Sequence, residues 1–457
     1  DGEASEGVAS RVNARRFEES FRAIAAIGAL PGGGCERLAF SPEERAAHEE
    51  FRRQAEAAGL AVRVDAIGNS FARLEPTGSS RVGGDPASAA GSPAAVGRGP
   101  APGDGPAAST SVAILTGSHL DTVAKGGCFD GAGGVLCSLE AVIALAEAQD
   151  AGEIRLRRPL DVVAWANEEG ARFAPSMMGS AVYAGVMPLE EAMAVKDRDG
   201  VSVAEALADA GAVTIGRNAG SERTAAPGTP AAYLELHIEQ GVELEEAGVP
   251  LAVVEGVQAQ IAGDWEFRGR SAHAGATPMH RRADALVAAA ELVTAAERIA
   301  ADYEPGVATV GALSVGPGSR NSVPGTVSGT IDLRHPDEKT VAAMRDRFLQ
   351  AGEEIAARRG CTFSLEELWR TPRVSFNPKI LQALEDAAQS VGITTMRLFS
   401  AAGHDAVYIA RIAPTAMLFV PSIGGVSHHT EEETPMEALI AGSRVLEAAL
   451  TALAGLK

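Results

Sequence analysis

Apolar residues recur at helical spacing over residues 14–28 and 42–58. Ser41-Pro42-Glu43-Glu44 gives the second stretch an N-cap, a proline at the first helical position and a glutamate at the third. The pattern predicts two opening helices. Residues 60–65 then alternate apolar and polar, as a half-buried strand does, and residues 70–74 supply a hairpin partner across Ile67-Gly68-Asn69. Two continuous apolar runs, 111–116 and 160–166, flank a helical stretch at 131–148. Runs of that kind suit strands covered on both faces, so the three segments predict a strand-helix-strand unit of a parallel sheet.

Between the hairpin and that unit, residues 76–110 are Gly, Pro, Ala and Ser with almost no large apolar side chain. Such a segment has too little to bury to offset the entropy of ordering it, and it reads as an exposed insertion. A domain linker is the rival reading, disfavoured because the same alternation resumes beyond it. After about Gly256 the pattern changes to a long helix at 282–303, strands at 308–315 and 326–334, and a helix at 337–359. From about Leu368 the first pattern returns, with a helix at 378–391, a strand at 415–421 and a last helix from Pro435. A chain of 457 residues exceeds one comfortable core. The predicted fold is α/β: a mixed, mostly parallel sheet with helices on both faces, formed by residues 1–255 and 366–457. Residues 256–365 make a smaller inserted α+β domain, an antiparallel sheet with two helices.

Composition narrows the function. Hydrophobic residues make up 46% of the chain and charged residues 22%, the balance of a globular protein. Sixty acidic against forty basic side chains leave a formal charge of -20, which argues against a nucleic-acid partner and favours metal cations. No uninterrupted apolar run reaches the roughly 18–20 residues that span a bilayer. The opening segment also lacks an apolar signal, so no membrane partner is expected and the expected location is cytoplasmic. Cys35, Cys128, Cys137 and Cys361 include no C-x-x-C pair, so reduced thiols are expected, with Cys128 packing beside a turn.

In α/β sheets ligands bind along the carboxyl edge of the strands, so the polar residues that follow the predicted strands carry the chemistry. After 111–116 comes Gly117-Ser118-His119-Leu120-Asp121-Thr122, followed by Asp130 in Gly126-Gly127-Cys128-Phe129-Asp130-Gly131. One imidazole and two carboxylates at a strand end are material for a metal site. In an extended His119-Leu120-Asp121 both polar side chains point one way, so Asp121 can hydrogen-bond and orient the imidazole. Asp130 opens the next helix, where it either caps that helix or bridges two cations. The strand at 160–166 runs into Asn167-Glu168-Glu169-Gly170. Adjacent carboxylates near a buried edge need a cation or a proton between them. One glutamate then holds a metal while its neighbour takes a proton from water; the bland alternative is a solvated acidic turn. Glu235, His237 and Glu239 share one face of an alternating segment, which makes His237 a candidate ligand. Ser427-His428-His429-Thr430-Glu431-Glu432-Glu433 follows the strand at 415–421 and offers a further imidazole. A lone loop histidine is more often a surface residue. The weight lies in four such sites falling along one domain.

Together these motifs resemble the M20 metallopeptidase superfamily, and within it the amidase branch of N-carbamoyl-L-amino acid hydrolases, allantoate amidohydrolases and β-ureidopropionases. The resemblance covers nearly the whole chain apart from residues 76–110. It implies two divalent cations per subunit, with mixed imidazole and carboxylate ligands that suit Zn, Mn, Co or Ni. It makes His119, Asp130 and His237 the ligands of one ion, with Asp130 bridging to a second held by Glu169 and His428. Glu168 is then the general base and Asp121 the residue that orients His119. His429 follows His428 directly, an ambiguity of one residue that the family register resolves toward His428. The form His237-Ile238-Glu239-Gln240-Gly241 resembles the amidase branch and favours ureido substrates over peptides.

In the segment 269–279 the resemblance gives His273 the task of polarising the scissile carbonyl, commonly in the active site of the partner subunit. That implies a homodimer formed through residues 256–365. Gln240, Asn321, Arg334 and Gly403 match substrate-binding positions, and Arg334 offers a bidentate fork to a substrate carboxylate. The activity so implied is hydrolysis of the carbamoyl C–N bond of an N-carbamoyl-L-amino acid to the amino acid, ammonia and carbon dioxide. Allantoate and N-carbamoyl-β-alanine are alternative substrates, and a dipeptidase or aminoacylase is a more distant alternative. A catalytically silent binding protein on this scaffold is expected to have lost Glu168 or a ligand, and none is missing.

Overall fold

A computed structural model describes residues 10–77, 112–209 and 229–455. The insertion expected at 76–110 lies outside the described residues apart from Pro76 and Thr77. The chain opens with the helices Ala14–Ala25 and Pro42–Ala57, capped by Asn13 and Ser41. Glu44 reaches back to accept the Phe40 N–H at 3.0 Å, so the end of the second helix is satisfied from both sides.

Six strands follow: β1 (Ala61–Val64), β2 (Ser70–Leu74), β3 (Ile114–His119), β4 (Leu160–Trp165), β5 (Ala232–Ile238) and β6 (Leu251–Val257). Then come β7 (Ala259–Arg268), β8 (Ala272–His273), β9 (Val307–Thr309), β10 (Leu313–Gly316), β11 (Ser322–Val323), β12 (Thr326–His335) and β13 (Thr362–Thr371). The chain closes with β14 (Val374–Ser375), β15 (Thr395–Ser400) and β16 (Thr415–Val420). The larger sheet runs β1-β2-β4-β3-β5-β16-β6-β14, with β15 beside β6. Its centre, β4-β3-β5-β16, is parallel, while the hairpin at one flank and β6 at the other join it antiparallel. The smaller sheet, β10-β12-β7-β13 with β9 on β12, is antiparallel throughout. Helices Ala285–Asp302 and Glu338–Arg359 pack on it.

Each sheet has its own apolar core. Leu115, Val163, Leu236 and Met417 belong to the larger, and Trp265, Phe267, Leu292, Leu333 and Phe348 to the smaller. A third cluster, with Phe40, Phe173, Met178 and Leu207, lies under short helices between residues 178 and 209.

The run expected as one strand at 308–315 is two, β9 and β10, both paired with β12. Ala312 sits at the break, where its N–H donates to the Thr330 hydroxyl at 3.1 Å and so leaves the ladder. The sequence pattern does not predict β6, β7, β13 or β15. Only Gln258 separates β6 from β7, so one long extended stretch passes between two sheets. In β13 both faces are largely exposed, which removes the alternation that marks a strand. This strand carries the smaller sheet on to Thr371, past the expected seam at 365.

The helix Ala132–Asp150 is long and apolar enough to cross a membrane by length and composition alone. It is instead a core helix, packed against β3, β4, β5 and the helix Met436–Ala454. At Gly134 an added methyl would lie 2.0 Å from the Leu236 carbonyl oxygen, so glycine sets the distance between this helix and the strand that carries His237. Gly134→Ala is expected to destabilise the fold by about 1–3 kcal/mol through overpacking. A urea midpoint equal to that of the unsubstituted protein, at equal m-value, would contradict so close an approach.

Candidate metal centre

Because the centre of the large sheet is parallel, the residues that end its strands collect along one edge. His119 closes β3 beside Trp165 at the end of β4, and His237 lies near the end of β5 opposite Phe419 of β16. Asp130 approaches from the loop before the core helix. Gly131 holds φ +63°, and a Cβ there would fall 2.4 Å from the His119 ring, so glycine lets the Asp130 loop lie against the imidazole.

Asp130 stands between two sets of neighbours. Its Oδ1 lies 2.9 Å from His237 Nε2 and 3.5 Å from His119 Nε2. Its Oδ2 lies 3.4 Å from His428 Nε2, which is 3.3 Å from Glu169 Oε2. The sets His119, Asp130, His237 and Asp130, Glu169, His428 each gather candidate ligand atoms within 4.8 Å of one another. Within this cluster His119 Nε2 and Glu169 Oε1 are buried without a hydrogen-bond partner. A buried polar atom left unpaired costs about 1–3 kcal/mol, and cations shared by these donors remove that cost. His119 Nδ1 bonds to the Asp121 carbonyl at 3.0 Å and His237 Nδ1 to the Ile238 carbonyl at 2.9 Å. A carbonyl accepts only, so Nδ1 carries the proton in each neutral ring and Nε2 offers its lone pair to the site.

The Asp121 carboxylate stands beside the imidazole and also holds the next loop. It lies 3.6 Å from His119 Nδ1 and accepts the backbone N–H of Glu168 at 3.1 Å and of Glu169 at 3.2 Å. It therefore fixes the turn that presents both glutamates. Glu168 Oε2 lies 3.5 Å from His119 Nε2. Burial pushes the Glu168 carboxyl well above the usual carboxylate range against the pull of His119, and Asp405 and Glu169 add to the rise. Burial also raises Glu169, with Asp130 reinforcing it. At Asp130 burial works upward, but the imidazoles of His237, His119 and His428 outweigh it and hold the carboxyl well below its ordinary value.

A cavity of about 210 Å³ opens beside these groups, walled also by Met177, Gln240, Arg334, Gly403 and His404. The Gln240 side-chain amide donates to Asp130 Oδ2 at 2.8 Å and to the Ser427 hydroxyl at 3.0 Å. Arg334 reaches in from β12, donating to Asp332 at 2.9 and 3.2 Å and to the Ala401 carbonyl at 2.6 Å. His273 and Asn321 do not line this cavity. They sit side by side on the exposed ribbon of β8 and β11, where the Ala274 N–H donates to the Asn321 carbonyl at 2.9 Å. Of the two adjacent histidines, His428 meets Asp130 and Glu169, while His429 faces Glu431 at 3.9 Å.

Four residues have parts at the site that the sequence pattern does not assign. Glu432 is buried, and its Oε1 accepts the N–H of Phe129 at 3.0 Å and of Asp130 at 3.1 Å, while Oε2 accepts the Ser427 hydroxyl at 3.2 Å. One carboxylate thus joins the Asp130 loop to the His428 loop. Its signal is the run of three glutamates after Thr430, in which spacing does not say which one turns inward. Glu235 accepts the Ser118 hydroxyl and the Ala406 N–H, each at 2.9 Å. Asp405 accepts the Ser180 hydroxyl, and the His404 ring packs on His237 with centroids 4.4 Å apart.

Without cations, the His428 imidazole is pushed up to about 10 by its hydrogen bonds to Asp130 and Glu169, and His119 and His237 are also raised, by their carboxylate neighbours against the effect of burial. An incoming cation displaces those protons, so apparent affinity is expected to rise with pH and binding to release protons. Calorimetric titration of Mn²⁺ or Zn²⁺ into metal-free protein, in buffers of different ionisation enthalpy, reads this directly; binding without proton release contradicts it. Glu432→Ala is expected to weaken binding about 10–100-fold, as loss of a ligand-orienting group commonly does. Glu432→Gln, which keeps one acceptor, should lose less. Competition with a coloured chelator ranks the three proteins, and equal affinities would remove Glu432 from the site.

Comparison with known proteins agrees with this geometry. Residues 115–452 match the model of Peptidase family M20/M25/M40. The N-carbamoyl-L-amino-acid amidohydrolase of Paenarthrobacter aurescens is 37% identical over 97% of this chain and 98% of its own length. The allantoate amidohydrolase of Bacillus subtilis is 32% identical over 94% and 95% respectively. A crystal structure of a hydantoinase/carbamoylase family amidase from Burkholderia multivorans superposes with a TM-score of 0.83 at 38% identity, covering 97% of this chain and 98% of that one. Sequence, fold and the two candidate metal-binding groups around Asp130 therefore agree that the chain belongs to Peptidase family M20/M25/M40, in its amidase branch.

Proposed function

We propose that the chain hydrolyses the carbamoyl C–N bond of an N-carbamoyl-L-amino acid, giving the free amino acid, ammonia and carbon dioxide. The observation that carries the reading is Asp130, whose two oxygens meet two separate candidate ligand sets beside a buried Glu168 whose carboxyl burial raises above its ordinary value. His119, Asp130 and His237 would hold one divalent cation, and Asp130, Glu169 and His428 the other. When bound, such cations supply Lewis acidity and bring a water molecule into ionisable range.

Glu168 takes a proton from the attacking water and returns it to the leaving nitrogen, a task suited to a carboxyl whose burial strengthens its hold on a proton. Arg334 takes the substrate carboxylate in a bidentate fork, giving up its contact with Asp332 or Ala401 to do so. Gln240, Asn321 and Gly403 complete the substrate contacts. His273 Nδ1 accepts the N–H of Gly275 and of Ala276, each at 3.1 Å, which leaves the ring proton on Nε2. A ring so arranged donates toward a carbonyl oxygen that gains negative charge. Since His273 and Asn321 lie away from the cavity of their own chain, we assign them to the site of a second copy, with residues 256–365 acting as lid and dimerisation domain. Allantoate is the second reading, favoured by the likeness to an allantoate amidohydrolase and separated from the first by the pocket alone.

Protein reconstituted with Mn²⁺ or Zn²⁺ is expected to release ammonia faster from N-carbamoyl-L-amino acids than from allantoate or N-carbamoyl-β-alanine. Glu168→Gln should lower kcat by about 10²–10⁴-fold, and unchanged turnover would remove the assigned base. Arg334→Lys should raise KM more than it lowers kcat. Mixing the inactive Glu168→Gln and His273→Ala proteins should restore activity that neither has alone. Failure to complement under subunit exchange would return His273 to its own chain.

A further inference from the structure

The cavity beside the candidate metal centre has walls of two kinds. Among the described residues, Met177 and Ala402 are its apolar side chains, while the other side chains around it bear carboxylates, imidazoles, an amide, a guanidinium or a hydroxyl. Met177 is half-buried, and its thioether lies along the loop at Gly403, where a Cβ would fall 3.1 Å from Met177 Cε and 3.5 Å from Sδ. Glycine there leaves room for the thioether.

The backbone of Met177 supplies a second, independent observation. It holds φ 55° and ψ 33°, a left-handed conformation that Gly or Asn adopts far more readily than Met. The Met177 N–H donates to the Glu168 carbonyl at 2.6 Å, and the next two N–H groups, of Met178 and Gly179, donate to the Asn167 and Ala166 carbonyls at 3.2 and 2.9 Å. Three successive bonds thus fix Met177 to the turn that presents Glu168. A residue selected for this backbone alone would not be methionine, so the side chain is present for what it meets in the cavity.

We propose, on the strength of the reaction assigned above, that Met177 and Ala402 form the subsite for the side chain of the N-carbamoyl-L-amino acid and select flexible apolar side chains such as that of methionine. The carbamoyl group goes to the candidate ligand sets and Glu168, and the carboxylate to Arg334, whose Nη1 already reaches the Ala401 carbonyl at 2.6 Å. Met177 is tied to Glu168 at one end and Ala402 follows Ala401 at the other, so the apolar wall flanks the α-carbon that joins the two groups. An unbranched, polarisable thioether moulds to apolar groups of different shapes. A glycine derivative leaves that wall uncovered. An aspartate derivative sets a carboxylate against it and allantoate a second ureido group, and either polar group gives up water without gaining a partner.

Zinc-loaded unsubstituted protein is compared with Met177→Gly and Met177→Asn, two substitutions that suit the left-handed backbone and so leave the turn at Glu168 held. The readout is kcat/KM for N-carbamoyl-L-methionine, N-carbamoylglycine, N-carbamoyl-L-aspartate and allantoate. The unsubstituted protein is expected to prefer the methionine derivative to the glycine derivative by about 10–100-fold, and each variant to lose about tenfold of that preference. Ratios between substrates on one preparation do not depend on how much of it is folded. A methionine-to-glycine ratio unchanged in both variants overturns the subsite, as does an aspartate derivative cleaved by the unsubstituted protein as fast as the methionine derivative. Calorimetry on zinc-loaded Glu168→Gln protein gives dissociation constants for the methionine and glycine derivatives without turnover. Tighter binding of the methionine derivative, lost when Met177→Gly is added, supports the subsite, and equal binding overturns it. If no carbamoyl amino acid is hydrolysed, the assigned reaction fails while these constants still decide the part of Met177.

Discussion

The site depends on one carboxylate serving two neighbourhoods at once. Asp130 has only two acceptor oxygens, and each meets imidazoles from a different part of the chain: His119 and His237 at one, His428 at the other. Such sharing demands that the Asp130 backbone be held from outside, because a side chain this short cannot adjust to two partners independently. The fold meets that demand with a second carboxylate. Glu432, three hundred residues along, accepts the N–H of Asp130 and of Phe129 and ties them to the loop that carries His428.

Asp121 repeats the device on the other side, where its two oxygens take the N–H groups of Glu168 and Glu169 and fix the turn they share. Charge-assisted bonds from backbone N–H to carboxylate are among the stronger hydrogen bonds available, and they position a loop without contributing atoms of their own to the cavity. The parallel centre of the sheet brings four strand ends together, but strand ends alone place side chains only to within a loop's freedom. The carboxylates that grip the loops narrow that freedom to the range in which imidazole and carboxylate oxygen meet.

Three of the candidate ligands that the structure gathers stood out in the sequence because each follows or ends a strand with a strong apolar signature: 111–116 before His119, 160–166 before Glu169, and an alternating run around His237. Hydrophobic period locates a strand, and the sheet rule then says which end carries chemistry. Glu432 and Asp405 were not legible, because a carboxylate that holds a backbone N–H looks the same in sequence as one in solvent. The sequence placed Asp121 beside His119 but did not show that its carboxylate also grips the glutamate turn, while its own carbonyl accepts from the imidazole. In the fold, β13 was hidden because a strand exposed on both faces loses the alternation that reveals it. The strands β6 and β7 were hidden for another reason, since a single extended stretch that changes sheets reads as a seam.

The charge balance of the centre follows from the same crowding. Asp121, Asp130, Glu168, Glu235, Asp405 and Glu432 are all buried, and Glu169 stands beside them. The imidazoles of His119, His237 and His428 are the basic groups in contact with them, and no lysine or arginine pairs with these carboxylates among the described residues. Burying so many carboxylates is costly, and it strengthens their hold on protons: Glu168, Glu169, Glu235, Asp405 and Glu432 are all raised, each chiefly by burial. Cations and protons therefore compete for one set of anions. Metal loading and deprotonation of the site are a single event seen from two sides, and the buried carboxyl beside both candidate ligand sets, with a place in neither, is Glu168.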